Sequence, residues 1–171
     1  MIDEFDAMIE RLHPVVNSAR YGITGYEDGV WCIYSLGGEI RLYLERKGKW
    51  ITLTEVERAW HERPVFAAAH QDDIQRVLLF RFMNRYRRVQ LQSNYLSPTT
   101  TPINASKVAF GYSLKLGDDG VWQLEKSGSP DTWRGNLTVL VEFSHYADMD
   151  SHDLWEWLYA PEGGIFQEIL A

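Results

Sequence analysis

The stretch Glu39-Ile40-Arg41-Leu42-Tyr43-Leu44-Glu45 alternates polar with apolar residues. A period of two demands an extended chain with one face on a core. Its surroundings repeat the device. Thr24–Glu27, Val30–Ser35, Glu39–Arg46 and Trp50–Glu57 are separated by Asp28-Gly29, Gly37-Gly38 and Lys47-Gly48-Lys49, whose glycines tolerate the positive φ of tight hairpins. Four antiparallel strands in a meander follow. Further on, Val108, Phe110, Tyr112 and Leu114 alternate with smaller or polar residues, Gly117-Asp118-Asp119-Gly120 supplies a turn, and Val121-Trp122-Gln123-Leu124-Glu125 returns. This predicts a second hairpin. Leu137–Phe143 is an almost unbroken apolar run and reads as a strand buried on both faces.

Other segments carry the helical period. Ile2, Phe5, Met8, Ile9 and Leu12 fall at spacings of three and four, with Asp3, Glu4 and Asp6 in the first turn, and the helix is expected to end near Pro14. A longer helix starts after His70: Gln71, Asp72 and Asp73 stand at its amino end, Ile74, Leu78, Phe82 and Tyr86 share a face, and residues 88–92 are open to an extended form. Asp150 or Ser151 caps a short helix carrying Leu154, Trp155, Trp157 and Leu158, stopped by Pro161. Residues 165–170 suggest a last amphipathic turn. The segment 97–106, with Pro98 and Pro102, reads as a surface loop rather than a linker. The expectation is one α+β domain over residues 1–171: a single antiparallel sheet of about six or seven strands packed against one long helix plus terminal helices.

Charge narrows the range of functions. A net charge of -7 has the wrong sign for wrapping nucleic acid or an anionic membrane surface. Residues 1–97 hold 13 acidic and 13 basic groups and residues 98–171 hold 11 and 4, so the whole excess lies in the last part. No apolar run approaches the ~20 residues of a membrane span. The opening residues resemble neither a secretory signal nor a transit peptide. The one cysteine, Cys32, has no internal partner, and a thiol-only chain suits the cytoplasm.

Catalytic and metal-binding signatures each meet a simpler reading. His61-Glu62-Arg63-Pro64 starts like a zinc-protease helix, but the second His is missing and Pro64 would break the helix, so a loop is expected. His145, Asp148, Asp150, His152 and Asp153 crowd together. They lack the glycine and glutamate of a calcium loop, and helix capping accounts for them. Cys32, between Trp31 and Ile33, suits a buried apolar slot. Glu55 and Glu57 share a strand face rather than oppose each other across a cleft. Neither cofactor nor metal is therefore expected. Arg81, Arg85 and Arg88 form a ridge on the long helix, with Arg76 and Arg87 on another side, and a solvated flank paired with acids explains them before an anion site does.

What remains is a surface for another protein. Asp118, Asp119, Asp131, Asp148 and Asp150 stand near Trp133, Arg134 and Tyr146, and aromatic anchors flanked by charge are what a protein contact uses. Trp133 is equally open to exposure or burial. Trp31, Trp122 and Trp155 are expected in the core.

A small acidic, Trp-rich chain with an amino-terminal helix, a hairpin-built sheet and a capped Leu154-Trp155-Glu156-Trp157-Leu158 segment resembles the immunity proteins of bacterial polymorphic toxin systems. Within them it is similar to the immunity factor for the tuberculosis necrotizing toxin. The resemblance implies a cytoplasmic, non-enzymatic inhibitor whose partner is a cognate NAD-hydrolysing toxin. The candidate partner-binding residues are Asp118, Asp119, Asp131, Trp133, Arg134 and Tyr146. The rival reading is a small-molecule-binding or enzymatic module with a cleft between the sheet and helix 72–87.

Overall fold

The computed structural model describes residues 5–25, 29–58, 61–100, 102–162, 164 and 166. Helix α1 (Asp6–Ser18) leads into a five-stranded meander, β1 (Tyr21–Gly25), β2 (Trp31–Ser35), β3 (Ile40–Lys47), β4 (Trp50–Glu57) and β5 (His61–Ala68), followed by the long helix α2 (Gln71–Gln90). After the loop come β6 (Tyr112–Leu116), β7 (Trp122–Lys126), β8 (Thr132–Gly135), α3 (Leu137–Ser144) and α4 (Ser151–Tyr159). All the strands join one antiparallel sheet in the order β1-β2-β3-β4-β5-β8-β7-β6. Two meanders thus meet where β5 lies beside β8, and that joint has only two register pairs, Phe66 with Gly135 and Ala67 with Arg134.

The predicted alternation sorts the two faces. Ile33, Leu42, Leu44, Ile51, Leu53, Phe66, Leu124 and Trp133 point to one side and are buried. There α1 packs on β1 and α2, α2 packs on β4 and β5, α3 covers β5, β7 and β8, and α4 lies on α2. Each such Leu, Ile or Phe contributes about 1.5–3 kcal/mol by leaving water. The opposite face carries Arg41, Tyr43, Thr52, Thr54, Gln123 and Arg134, all at least partly accessible.

The sheet has eight strands rather than six or seven, β1 starts at Tyr21 rather than Thr24, Val108 and Phe110 precede β6 rather than lying in it, and three further local expectations change. Residues 137–144 are helical. Asn136 accepts the Thr138 N–H at 2.9 Å as an N-cap, and a short, mostly apolar run does not distinguish a buried strand from a buried helix. The strand of that region is instead β8, just before it. His61–Pro64 begins β5 rather than a loop; Pro64 lies in register with Thr54, next to a shift between Leu53 and Thr54 that leaves Val65 without a register partner, the kind of irregularity beside which sheets accommodate proline. Pro14 lies inside α1, because Val15, Val16 and Ala19 continue its buried stripe and outweigh the lost bond. The expected roles of Ile2, Asp3 and Glu4 and of the turn at residues 165–170 fall largely outside the described residues, among which Phe166 is buried.

Candidate partner-binding surface

The turn joining β6 to β7 is built by its own sequence. Gly117 N–H donates to Val121 C=O at 2.9 Å, Gly120 N–H to Gly117 C=O at 2.9 Å, and Val121 N–H to the Asp119 carboxylate at 3.2 Å. That last bond, with the Arg134 guanidinium second, holds the Asp119 carboxyl below the usual carboxylate range. Asp118 beside it is exposed. Arg134 reaches this turn from β8, on the accessible face of the sheet, and forms an ion pair with Asp119.

Between this pair and β4 lies a hollow of about 300 Å³, lined by Trp50, Thr52, Pro64, Ala67, Asp119 and Arg134 among others. Arg134 Nε is shielded there without a hydrogen-bond acceptor. Lys49 Nζ stands 5.0 Å over the Trp50 ring, which fixes a cation beside the aromatic wall. A rigid acidic turn next to a small aromatic recess holding an underused guanidinium suits the reception of another protein's side chain.

The remaining expected site residues divide. Asp131 is half-buried, its carboxylate accepting the Ser129 hydroxyl at 2.7 Å, with His70 Nε2 at 3.9 Å. Trp133 is 5% exposed and Tyr146 2%, so both are core side chains and neither reaches a partner in this structure. Trp133 occupies an inward position opposite Leu124 and donates from Nε1 to Asp73 at 2.8 Å. Tyr146 stacks on Phe80, centroids 4.8 Å apart. Trp31, Trp122 and Trp155 are partly buried against the core. Sequence reading missed Trp50 and Pro64. The alternation of Trp50, Thr52 and Thr54 against Ile51 and Leu53 carries the signal that Trp50 faces away from the helices.

Several of the arginines and acids elsewhere brace the fold. Arg76 donates from Nε to Met149 C=O at 2.6 Å and from Nη1 to Asp73 at 2.8 Å. Arg87 donates to the carbonyls of Leu158 at 3.1 Å, Ala160 at 2.5 Å and Pro161 at 2.8 Å, closing the end of α4. Arg81 pairs with Glu55, while Arg85 and Arg88 are exposed. Asp150 caps α4 by accepting His152 N–H at 2.7 Å, Asp148 pairs with Lys126, and His145 Nε2 sits 2.9 Å from Lys107 C=O.

A larger, open groove of about 960 Å³ runs between α1, α2 and α4, past Arg11, Arg76, Asp150 and Trp155. The boundary between sheet and α2, where the rival reading places a cleft, is filled by Ile74, Leu78 and Phe82 against Leu53 and Phe66, all at most 1% exposed. Burial pushes Glu142 up to about 7, raises Asp73 against the pull of Trp133 and Arg76, and raises Tyr146 further. None of these three groups lines either hollow.

The family profile described as Immunity protein 61 matches residues 15–164. The solved structure of Rv3902c from M. tuberculosis has a similar fold, with a TM-score of 0.74 and 22% identity over 90% of this chain and 89% of that one. No curated protein sequence matches significantly.

Proposed function

The chain belongs to the Immunity protein 61 family, and from that premise we propose that it is an antitoxin. It binds a secreted NAD-hydrolysing toxin in the cytoplasm of the producing cell, covers the toxin's active site and catalyses no reaction itself. The family match over residues 15–164 carries this reading, and the physical features support it.

A toxin that grips the pyrophosphate of NAD offers cationic groups around its substrate site. A partner with an acidic turn is drawn to them and associates faster. On the inhibitor side the turn holding Asp118 and Asp119 supplies the steering, Arg134 and the Trp50 recess supply a central anchor, and Asp131 lies on the loop leading into β8. Trp133 and Tyr146 serve from behind by fixing β8 and the chain after α3. No described helix is long and apolar enough to cross a membrane.

The test is a titration. NAD hydrolysis by the toxin domain encoded in the same organism is followed as the purified chain is added. The expected result is a linear fall to zero at one equivalent and a 1:1 complex on sizing. Undiminished hydrolysis at excess chain, or NAD turnover by the chain alone, overturns the proposal.

A further inference from the structure

Strand β6 ends the sheet, and its pairing fixes which main-chain groups are used. Ser127 N–H donates to Gly111 C=O at 2.8 Å and Gly117 N–H to Val121 C=O at 2.9 Å. With the register running from Tyr112 opposite Lys126 to Leu116 opposite Trp122, the bonded pairs are Ser113 with Glu125 and Lys115 with Gln123. Tyr112, Leu114 and Leu116 turn their N–H and C=O groups the other way. Tyr112 N–H is taken by Ala109 C=O at 3.1 Å. The Tyr112 carbonyl and both groups of Leu114 and of Leu116 remain, a row that no strand pairs with among the described residues.

Exposed apolar side chains bracket this row. Leu116 is 57% exposed at one end, and Phe110 is fully exposed at the other. Phe110 is also held in place. Gly111 has a φ of 86°, suited to the third position of the turn closed by the Tyr112-to-Ala109 bond, and Ala109 N–H is anchored on Ser144 Oγ at 2.9 Å. Natural sheet edges are commonly blunted by charge, proline or a covering element. Here the lone charge of β6, Lys115, lies on the sheet face and pairs with Glu125. At the other end of the sheet α1 packs against β1.

We propose that β6 is a docking edge to which an extended segment of the toxin adds as a further strand, its side chains meeting Phe110 and Leu116. The inference rests on the antitoxin reading above. A second copy of this chain is the less suitable occupant, because pairing β6 with β6 engages only five residues from each copy. That alone falls short of the roughly 1,600 Å² of a stable interface. A toxin seated on the Asp118-Asp119 turn, which directly continues β6, gains the edge in addition. The segment expected is extended and cationic where it passes that turn.

Hydrogen–deuterium exchange tests this on the complex with the toxin domain from the same organism, once binding has been measured. In the free chain the amides of Leu114 and Leu116 are expected to exchange quickly and those of Ser113 and Lys115 slowly. In the complex the first pair is expected to slow at least about tenfold. Leu116→Pro removes an outward N–H and keeps the ladder to β7, so it is expected to weaken binding roughly thirtyfold at unchanged Tm. Unaltered exchange at Leu114 and Leu116 in a complex that does form overturns the inference and leaves the antitoxin reading standing. So does a free chain that is dimeric with those amides protected. Absence of any complex overturns both.

Discussion

Glu142 is 7% exposed in α3, with the Tyr95 hydroxyl donating to its carboxylate at 3.4 Å, and burial raises it to about 7. In the unfolded chain the same group ionises near 4.5. Its stabilising contribution is therefore fully present below that value and is lost as pH rises through 7, a change of about 3 kcal/mol. Glu142→Gln keeps an acceptor for Tyr95, so urea midpoints at pH 5 and pH 8 are expected to separate less than in the parent, with the variant more stable at pH 8. Trp133 is the opposite kind of residue: the letters around it suggest a contact, and the fold uses it as a strut. Trp133→Phe leaves the Asp73 carboxylate without one of its donors and is expected to lower stability by about 2 kcal/mol, read from denaturant melts. One neighbouring letter decides such cases, because inward and outward positions on a strand differ by a single step of register. The register of β8 was not legible in the letters; Asp119 is exposed on its turn and Arg134 is partly accessible.

At the level of elements, strong periodicity was readable and short ambiguous segments were not. The alternation of β3, the boundaries of β4, the start of α2 and the Asp150 cap all appear in the letters. Strand β5 was hidden by Pro64, whose local preference is overridden by a bulge and by neighbours on both sides. Helix α3 was hidden by its uniform hydrophobicity. Asp150→Ala removes the acceptor for His152 N–H and is expected to cost about 1 kcal/mol, visible as a lower thermal midpoint. Pro14→Ala tests the other end of the molecule. Returning an N–H to the middle of α1 is expected to stabilise by about 1–2 kcal/mol in the same assay, because the helix already continues through that site.

For the whole molecule, charge and topology set the behaviour. The acidic excess of the second part predicts that association with a cationic toxin slows as salt rises, while dissociation changes less. Stopped-flow mixing at 50 and 500 mM salt checks this, and Asp118→Lys is expected to flatten the dependence. The proposed interface was legible only as a charge imbalance, since the Trp50 recess draws on β4, β5, β8 and the β6–β7 turn, brought together by a crossing that no local pattern encodes. That crossing is narrow. Gly135 stands in it with a φ of 151°, and a Cβ there would lie 2.4 Å from Val65 O, so Gly135→Ala is expected to cost more than about 3 kcal/mol. A seam of two rungs also divides the polypeptide into consecutive halves that never interleave strands. Severed at Pro102, the two pieces should recover their shape only on mixing, which makes this protein a natural candidate for a split reporter whose signal returns when its fragments are brought together.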